Sequence, residues 1–321
     1  MDKKIDDRLI IKICELYYNN NLSQTEIAKS LGISRPLVAK ALSSAREKKI
    51  TEIKINDLKI VKFWDLEEKL KERFGLKYAI VVDGKDKSVV KREAGLAARR
   101  FLDSKIKSGY TVGVSMGSSL CAMLDYGENH DIENLKFIPL IGGMGKLKTE
   151  LHSNHIAENL AKEYNGQFFP LYAPARLSSV SLINRLKKEI GVAGVIKSYK
   201  DVDMAFVGIG YPNENSSIKA TGYYKENEIS TLIKREVVGE ICMQFYNSDG
   251  KTDNYNDVNH VIGIELKKLK NIPLCVGIAV GKEKTAAVSG AIKGGYINVL
   301  ITDSDCAENL LNLRILYERN S

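Results

Sequence analysis

The chain has 321 residues, of which 44% are hydrophobic and 27% are charged, and its formal net charge is +8. This length allows two domains, one of them with a sizeable core, and the composition is that of an ordinary soluble globular protein. The charged N-terminus, MDKKIDDRLIIKICELYY, is typical of an amphipathic helix rather than a secretory signal, and the chain lacks an apolar run of about 18 residues that would suggest a membrane span. We therefore expect a cytoplasmic protein without a membrane partner. Its five scattered cysteines predict buried thiols and neither zinc nor disulfides.

The segment after this first helix carries the signals of two short helices joined by a tight turn. Ser23, with Glu26 three residues later, forms a capping box, so that a helix begins at Ser23. Gly32 supplies the left-handed residue that ends this helix. Ser34 is a second N-cap, and Pro36 is tolerated in the first turn of the helix that follows. The pattern is that of a helix-turn-helix.

The second of these helices has an apolar face and a basic one. The predicted buried stripe comprises Leu37, Val38, Ala41, Leu42 and Ala45. Residues 29–54 hold seven Lys or Arg against two Asp or Glu, which is the footprint expected for phosphate contacts. We therefore predict that residues 1–56 bind DNA. The predicted contact residues are Ser23, Gln24, Thr25, Ser34, Arg35, Pro36, Ala39, Lys40 and Ser43.

The remainder of the chain alternates between strands and helices. Residues 50–55 predict a short strand, and residues 57–75 predict a charged linker helix that ends at Gly75. The strands predicted beyond it are YAIVV, TVGVS, KFIPLI, QFFPLY, MAFVGIG, EICMQFY, HVIGI, PLCVGIAV and YINVLIT. Continuous apolar strands interleaved with helices indicate a parallel sheet covered on both faces. Residues 57–321 are therefore predicted to form one Rossmann-like α/β domain.

Four glycine-rich turns follow predicted strands, where ligands bind in sheets of this kind. They occupy residues 113–120, 141–145, 208–210 and 277–285. The first runs into a helix whose free N–H groups are suited to an anion, and the fourth contains Lys284 as a possible counter-charge. Together they favour a phosphorylated or otherwise anionic small molecule.

Two enzymatic motifs would give these glycine-rich turns a function other than binding an anionic ligand. Residues 113–117 match the G-x-S-x-G nucleophile elbow, and Asp249, Asp253 or Asp257 followed by His260 could complete a triad. However, His260 opens an apolar run, and no HGGG-type oxyanion segment precedes the serine, so a hydrolase is disfavoured. A P-loop is excluded because no G-x-x-x-x-G-K-[ST] segment occurs.

A metal site is also disfavoured. His152 and His155 lie three residues apart on a predicted helix, but the sequence offers no third ligand beside them. These histidines are therefore expected at the rim of a pocket, and no metal or cofactor is predicted.

Taken together, the segments resemble the SorC family of bacterial transcriptional regulators over nearly the whole chain. The matching segments are LYYNNNLSQTEIAKSLGISRPLVAKAL, TVGVSMGSSL, FIPLIGGMG, HSNHIAENLA, FPLYAPA, MAFVGIG, VVGEICMQFYNSDG and GIAVGKEKTAAVSGAIKGGYINVLITDSDCAENLL. The resemblance implies an effector domain similar to isomerases and deaminases of the glucosamine-6-phosphate deaminase type, without catalysis. It also implies binding of a sugar or phosphosugar that alters operator binding, and a homo-tetramer or dimer of dimers.

The resemblance also implies an effector site. The residues carried over are Gly117, Ser118 and Ser119 for a phosphate, Lys284 as its counter-charge, and Gly142, Gly143, Asn154 and Asp249 on the sugar side. Two positions depart from the family pattern. Ile141 stands where one member has a Lys that forms a Schiff base with its aldehyde effector, so an imine there is ruled out and deoxyribose 5-phosphate is disfavoured. Val280 stands where relatives commonly have Gly, which restricts approach of the backbone to a ligand.

We thus predict a DNA-binding transcriptional regulator of carbohydrate metabolism with no catalytic residues. The alternative is a sugar-phosphate isomerase or deaminase with an accessory DNA-binding segment. Such an enzyme needs a general base near its substrate, and Asp249 and His152 are the only candidates that the sequence offers.

Overall fold

The computed structural model describes residues 6–20, 22–51, 62–86, 89–125, 132–146, 148–213 and 221–318. The chain divides into two compact units, residues 1–62 and 63–321. The predicted boundary after residue 56, most of the predicted strand over 50–55 and the first residues of the predicted linker helix lie outside the described residues. Among the described helices, none has the length and apolar character needed to cross a bilayer.

The N-terminal unit contains helices α1 (Asp7–Cys14), α2 (Gln24–Leu31) and α3 (Arg35–Glu47), with one π-helical turn after α1. The predicted capping box is confirmed, since the Ser23 N–H donates to the Glu26 carboxylate at 2.8 Å and the Glu26 N–H donates to Ser23 Oγ at 3.3 Å. Gly32 ends α2 at φ 64°. Ser34 has the extended backbone of an N-cap, but its hydroxyl makes no capping bond. One reason is that Pro36, at the second helical position, has no N–H to donate.

A small core holds these three helices together. Its buried members are Ile10, Ile13, Cys14, Ile27, Val38, Ala41, Leu42 and Ala45. Four of the five residues in the predicted stripe of α3 are therefore buried, while Leu37 is only half-buried. Leu22 packs against this core, which contains Ile27, the partner expected in a hydrophobic staple at the start of α2.

Seven strands of the larger unit form a parallel sheet in the order β1-β9-β8-β5-β2-β3-β4. They are β1 (Tyr78–Val82), β2 (Thr111–Val114), β3 (Lys136–Pro139), β4 (Gln167–Phe168), β5 (Met204–Gly208), β8 (Leu274–Ile278) and β9 (Val299–Asp303). The helices are α4 (Trp64–Phe74), α5 (Val90–Lys105), α6 (Ser118–Cys121), α7 (Ser153–Glu163), α8 (Val180–Leu186), α9 (Ile190–Ser198), α10 (Glu226–Lys234), α11 (Leu266–Leu269), α12 (Thr285–Lys293) and α13 (Ser304–Glu318). The predicted α/β class with a parallel sheet is confirmed.

The sheet is covered on both faces. Alternate residues of a strand point to opposite sides, so each strand contributes to two hydrophobic cores. In β5, Met204 and Phe206 belong to one hydrophobic core, while Ala205 and Val207 belong to the other. The first core also contains residues of α5 and α7, and the second contains residues of α10 and α12. Burial on both sides explains why these strands are continuous apolar runs.

Two predicted strands were wrong in form. The segment EICMQFY is an antiparallel hairpin apart from the main sheet, made of β6 (Gly239–Ile241) and β7 (Gln244–Tyr246). Its turn lacks the Asn-Gly or Asp-Gly signal of a hairpin, so the sequence resembles one long strand. The segment HVIGI makes only isolated bridges, from Val261 to Arg176 and from Gly263 to Ile141.

Candidate functional site

The predicted DNA contacts of the N-terminal unit lie at the start of α2 and along α3. Thr25 is exposed and Gln24 half-buried at the start of α2. The predicted contacts at the start and on the outward side of α3 are all exposed, namely Ser34, Arg35, Pro36, Ala39, Lys40 and Ser43. Ser23 is exposed too, but its hydroxyl already accepts the Glu26 N–H.

A cavity of about 380 Å³ opens at the carboxyl ends of β2, β5 and β8 in the larger unit. β5 lies between β2 and β8 in the sheet. From β2 the chain continues to β3 on one side of the sheet, whereas from β5 it continues to β8 and β9 on the other. The cavity therefore lies at a topological switch point, the place where open parallel sheets bind ligands.

One wall of the cavity is the turn between β2 and α6, which supplies Gly117, Ser118 and Ser119. Gly117 has φ 127°, a conformation that favours glycine, and its N–H donates to the Leu151 carbonyl at 3.1 Å. The expected helix after this turn is a single turn of four residues, Ser118–Cys121. N–H groups in the first turn of a helix have no partner within the helix, so those of the lining residues Ser118 and Ser119 are available to a ligand.

The opposite wall contributes the half-buried cation Lys284. Its ammonium donates to the Ile209 carbonyl at 2.9 Å and lies 4.9 Å from the centre of the Tyr211 ring. Burial lowers the pKa of Lys284, while the nearby Glu240 carboxyl acts in the opposite direction. An anion bound in the cavity would offset this desolvation and favour the charged amine.

Glu240 is a cavity residue that the sequence pattern does not identify. It lies in the apolar β6 strand, is only 4% exposed, and its Oε2 accepts the Met243 N–H at 2.8 Å. Burial raises the pKa of this carboxyl to about 7, and Lys284 opposes the shift. A lone Glu in an apolar run gives no local signal of function, because its partners come from distant segments of the chain. The other missed lining residues include Lys91, Tyr211, Asn213, Cys242 and Glu283.

The turn of the β6–β7 hairpin borders the same cavity through Cys242. Cys242 and Met243 have φ angles of 51° and 57°, which are unfavourable for residues other than glycine. Such backbone strain, of order 1–3 kcal/mol per residue, clusters at functional sites. Burial raises the pKa of the Cys242 thiol well above its usual value, so this side chain is a neutral part of the wall.

The four residues expected on the sugar side do not line the cavity. The Gly142 N–H donates to the Ile262 carbonyl, and a β carbon there would meet the backbone of residues 173–175. Gly143 pairs with Pro174. The Asn154 side chain exchanges two hydrogen bonds with the backbone of Leu171.

The fourth of these residues, Asp249, is exposed, with an Oδ1–Nζ distance of 3.4 Å to Lys293. The polar groups of Gly142, Gly143 and Asn154 are thus engaged with other parts of the backbone, and Asp249 faces solvent.

The structure does not bring together the residues expected for a hydrolase, an isomerase or a metal site. Ser115 of the elbow motif is buried, and its hydroxyl accepts the Gly208 N–H at 3.1 Å. The residues that the structure describes around the cavity include no histidine, and His152, which caps α7, is not among them. Across the described parts of the chain, no cluster of three or more His, Cys, Asp or Glu could hold a metal ion.

Comparison with known proteins gives a consistent result. Residues 59–312 match the Sugar-bind family model, a sugar-binding domain. The sorbitol operon regulator of Klebsiella pneumoniae is 31% identical over 97% of this chain and 100% of its own length, and the deoxyribonucleoside regulator of Bacillus subtilis is 27% identical over 97% and 99%. The crystal structure of the full-length Klebsiella regulator matches with a TM-score of 0.72, covering 95% of this chain and 98% of that one. This chain belongs to the SorC family.

Membership of the SorC family decides between the two functions left open by the sequence. The relatives are transcriptional regulators rather than enzymes, so the protein is a transcriptional regulator with a sugar-binding domain, and the isomerase alternative is not supported.

Of the two departures from the family pattern, Ile141 is fully buried and Val280 lines the cavity. A Schiff base at residue 141 is therefore excluded by its side chain.

Proposed function

We propose that this SorC-family regulator binds a phosphorylated sugar in the cavity at the β2–β5 switch point, and that binding changes its affinity for operator DNA. The observation that carries the proposal is the meeting of Ser118, Ser119 and Lys284 in one cavity. Ser118 and Ser119 belong to one turn, and Lys284 belongs to another turn that is far from it in sequence. N–H groups, hydroxyls and an ammonium together form the donor set that a phosphate requires.

In this proposal the phosphate lies on the turn formed by Gly117, Ser118 and Ser119, with Lys284 as the counter-charge. The sugar extends toward Glu240, whose carboxylate accepts hydrogen bonds from hydroxyl groups. Gly142, Gly143, Asn154 and Asp249 are not assigned contacts with the effector, since they do not line the cavity.

On the DNA side, Arg35 and Lys40 are proposed to contact base edges or phosphates, with Ser34 in support. The exposed face of α3 is too short to specify a long site alone, so the protein is proposed to act as a symmetric oligomer, a tetramer or dimer of dimers, in the cytoplasm. Effector binding would then change the arrangement of paired helix-turn-helix units on the operator.

The effector site is tested by thermal shift and calorimetry with a panel of sugars and their phosphates, because a ligand that binds only the folded state raises its apparent stability. Lys284→Ala should abolish the response to the phosphorylated ligand. Lys282→Ala is the matched control, since Lys282 is an exposed neighbour outside the cavity lining. Full-strength binding by the Lys284→Ala protein would overturn the assignment.

The DNA site is tested by operator binding in the absence of effector. Arg35→Ala should weaken binding while the response to the effector is retained. Lys12→Ala, which removes an exposed cation from α1, is the control for a general loss of positive charge. Equal operator affinities for the Arg35→Ala and wild-type proteins would remove Arg35 from the recognition surface.

A further inference from the structure

Helix α5 packs against residues 118–125, termed the α6 segment, which comprise α6 and a 3₁₀ turn. Gly95 is buried in the interior of α5. A β carbon on Gly95 would lie 2.4 Å from the Ser119 carbonyl oxygen and 2.6 Å from the β carbon of Ala122, which is much closer than an ordinary contact. Inside a helix, glycine is less favourable than alanine. Packing, rather than helical propensity, therefore accounts for the glycine at this position.

Two arginines of α5 hold the far end of the α6 segment. Residues three or four positions apart lie on one face of a helix, so Arg92, Gly95 and Arg99 face the segment together. Arg92 Nε donates to Asp125 Oδ2 at 2.8 Å. Arg99 Nη1 donates to the Met123 carbonyl at 3.4 Å. The α6 segment is thus attached to α5 at both ends, by the close packing at Gly95 and by the two arginines.

Arg99 also ties α5 to the neighbouring helix α7. Its side chain is fully buried, its Nε donates to Asp103 Oδ1 at 3.1 Å, and its Nη1 donates to the Glu163 carboxylate at the end of α7. The guanidinium lies 4.6 Å from the centre of the Tyr164 ring. Separating a buried charge from its partners is costly, because it leaves charges uncompensated. Helix α5 therefore resists displacement, and the strain of a larger residue at position 95 would fall on the α6 segment.

We propose that Gly95 is a positioning residue for the effector, because its lack of a side chain sets the place of Ser118 and Ser119 in the cavity wall. With alanine at position 95, the distance to the Ser119 carbonyl oxygen would have to increase from 2.4 Å to about 3.4 Å for an ordinary contact. Hydrogen bonds have donor–acceptor distances of about 2.7–3.2 Å, so a shift of this size would break those from the turn to a bound anion. This inference rests on the proposed function, since it concerns the support of the same site.

The test compares two glycine-to-alanine substitutions in helices. Gly95→Ala is the test variant, and Gly194→Ala in α9 is the matched control. Gly194 is exposed, and no described atom outside its own helix lies within 4 Å of the position that its β carbon would take. Hydrogen exchange is followed by mass spectrometry on the unliganded full chain. In peptides covering residues 115–125, exchange should be at least about tenfold faster in the Gly95→Ala protein and unchanged in the control.

Binding of inorganic phosphate, measured by isothermal titration calorimetry, should be at least about tenfold weaker in the Gly95→Ala protein, which corresponds to the loss of one hydrogen bond to a charged group. The Gly194→Ala protein should bind phosphate as wild type does. A Gly95→Ala protein that is less stable but keeps wild-type exchange and affinity would overturn the inference and leave the phosphosugar proposal standing. A wild-type protein that binds no phosphate would count against the proposed function, while the exchange rates would still decide whether Gly95 positions the turn.

A milder variant decides the question if the Gly95→Ala protein does not fold. Asp125→Ala removes the exposed ion pair with Arg92 at the far end of the α6 segment. It should speed exchange in the same peptides by about two- to fivefold, the range expected for an exposed ion pair. Wild-type exchange in this variant would show that α5 does not hold the segment in place, and would overturn the inference.

Discussion

The buried carboxyl of Glu240 makes the stability of the unliganded protein depend on pH in a direction opposite to that of most acids. Its pKa is raised from 4.5 to about 7. The folded state therefore holds a proton that the unfolded state releases between these two values, so this group lowers the free energy of unfolding as pH rises through that range. One pKa unit corresponds to about 1.4 kcal/mol, so the cost of ionisation reaches about 3 kcal/mol above pH 7.

Glu240→Gln removes this cost, because an amide does not ionise. The variant should be no more stable than wild type near pH 4.5 and should gain about 3 kcal/mol relative to wild type by pH 8. Urea denaturation followed by tryptophan fluorescence suits the measurement, since Trp64 is the single tryptophan and lies in the larger unit. Glu308→Gln, which neutralises an exposed carboxylate on α13, serves as the control. A stability difference that stays constant from pH 5 to pH 8, or that grows toward acid, would refute the account of Glu240 as a desolvated acid.

Three further substitutions test other parts of the molecule. Ser23→Ala removes the side-chain acceptor of the capping box and should lower the stability of the N-terminal unit by about 1 kcal/mol. Thermal unfolding followed by circular dichroism measures this loss, and an unchanged unfolding curve would mean that the cap does not stabilise the unit. Gly117→Ala places a side chain at φ 127° and should lower the free energy of unfolding of the unliganded protein by about 1–3 kcal/mol in a urea titration, whereas unchanged stability would show that the turn tolerates a side chain in this conformation. Arg35→Ala should reduce the slope of log operator affinity against log salt by about 1, and a slope equal to that of wild type would mean that Arg35 makes no phosphate contact.

The parts of the structure that the sequence predicted correctly are those set by neighbouring residues. The capping box at Ser23 and the left-handed ends at Gly32 and Gly75 depend on bonds and backbone angles within one helix. The central strands were predicted because both of their faces are buried, which makes them continuous apolar runs. Local chemistry is sufficient for these features.

The features that the sequence did not predict depend on contacts between distant segments. Asn154 looks like a ligand contact in sequence, but it is engaged with Leu171, a partner that only the fold identifies. Glu240 looks like a charged residue at the edge of a strand, and it becomes a cavity residue only because β6 pairs back on Gly210. The pairing of β6 with β7 makes a hairpin of a segment that resembles one long strand in sequence.

The position of the cavity at the switch point has a mechanical consequence. Its β2 wall belongs to the half of the chain that continues to β3 and β4, and its β5 and β8 walls belong to the half that continues to β9. In the sheet these halves meet along a short ladder of three residue pairs between β2 and β5. A ligand that bridges Ser118 and Lys284 would act as a non-covalent cross-link across this seam. Occupancy of the cavity would therefore stiffen the contact between the two halves of the sheet. The effector would then be a temporary structural part of the domain that it regulates.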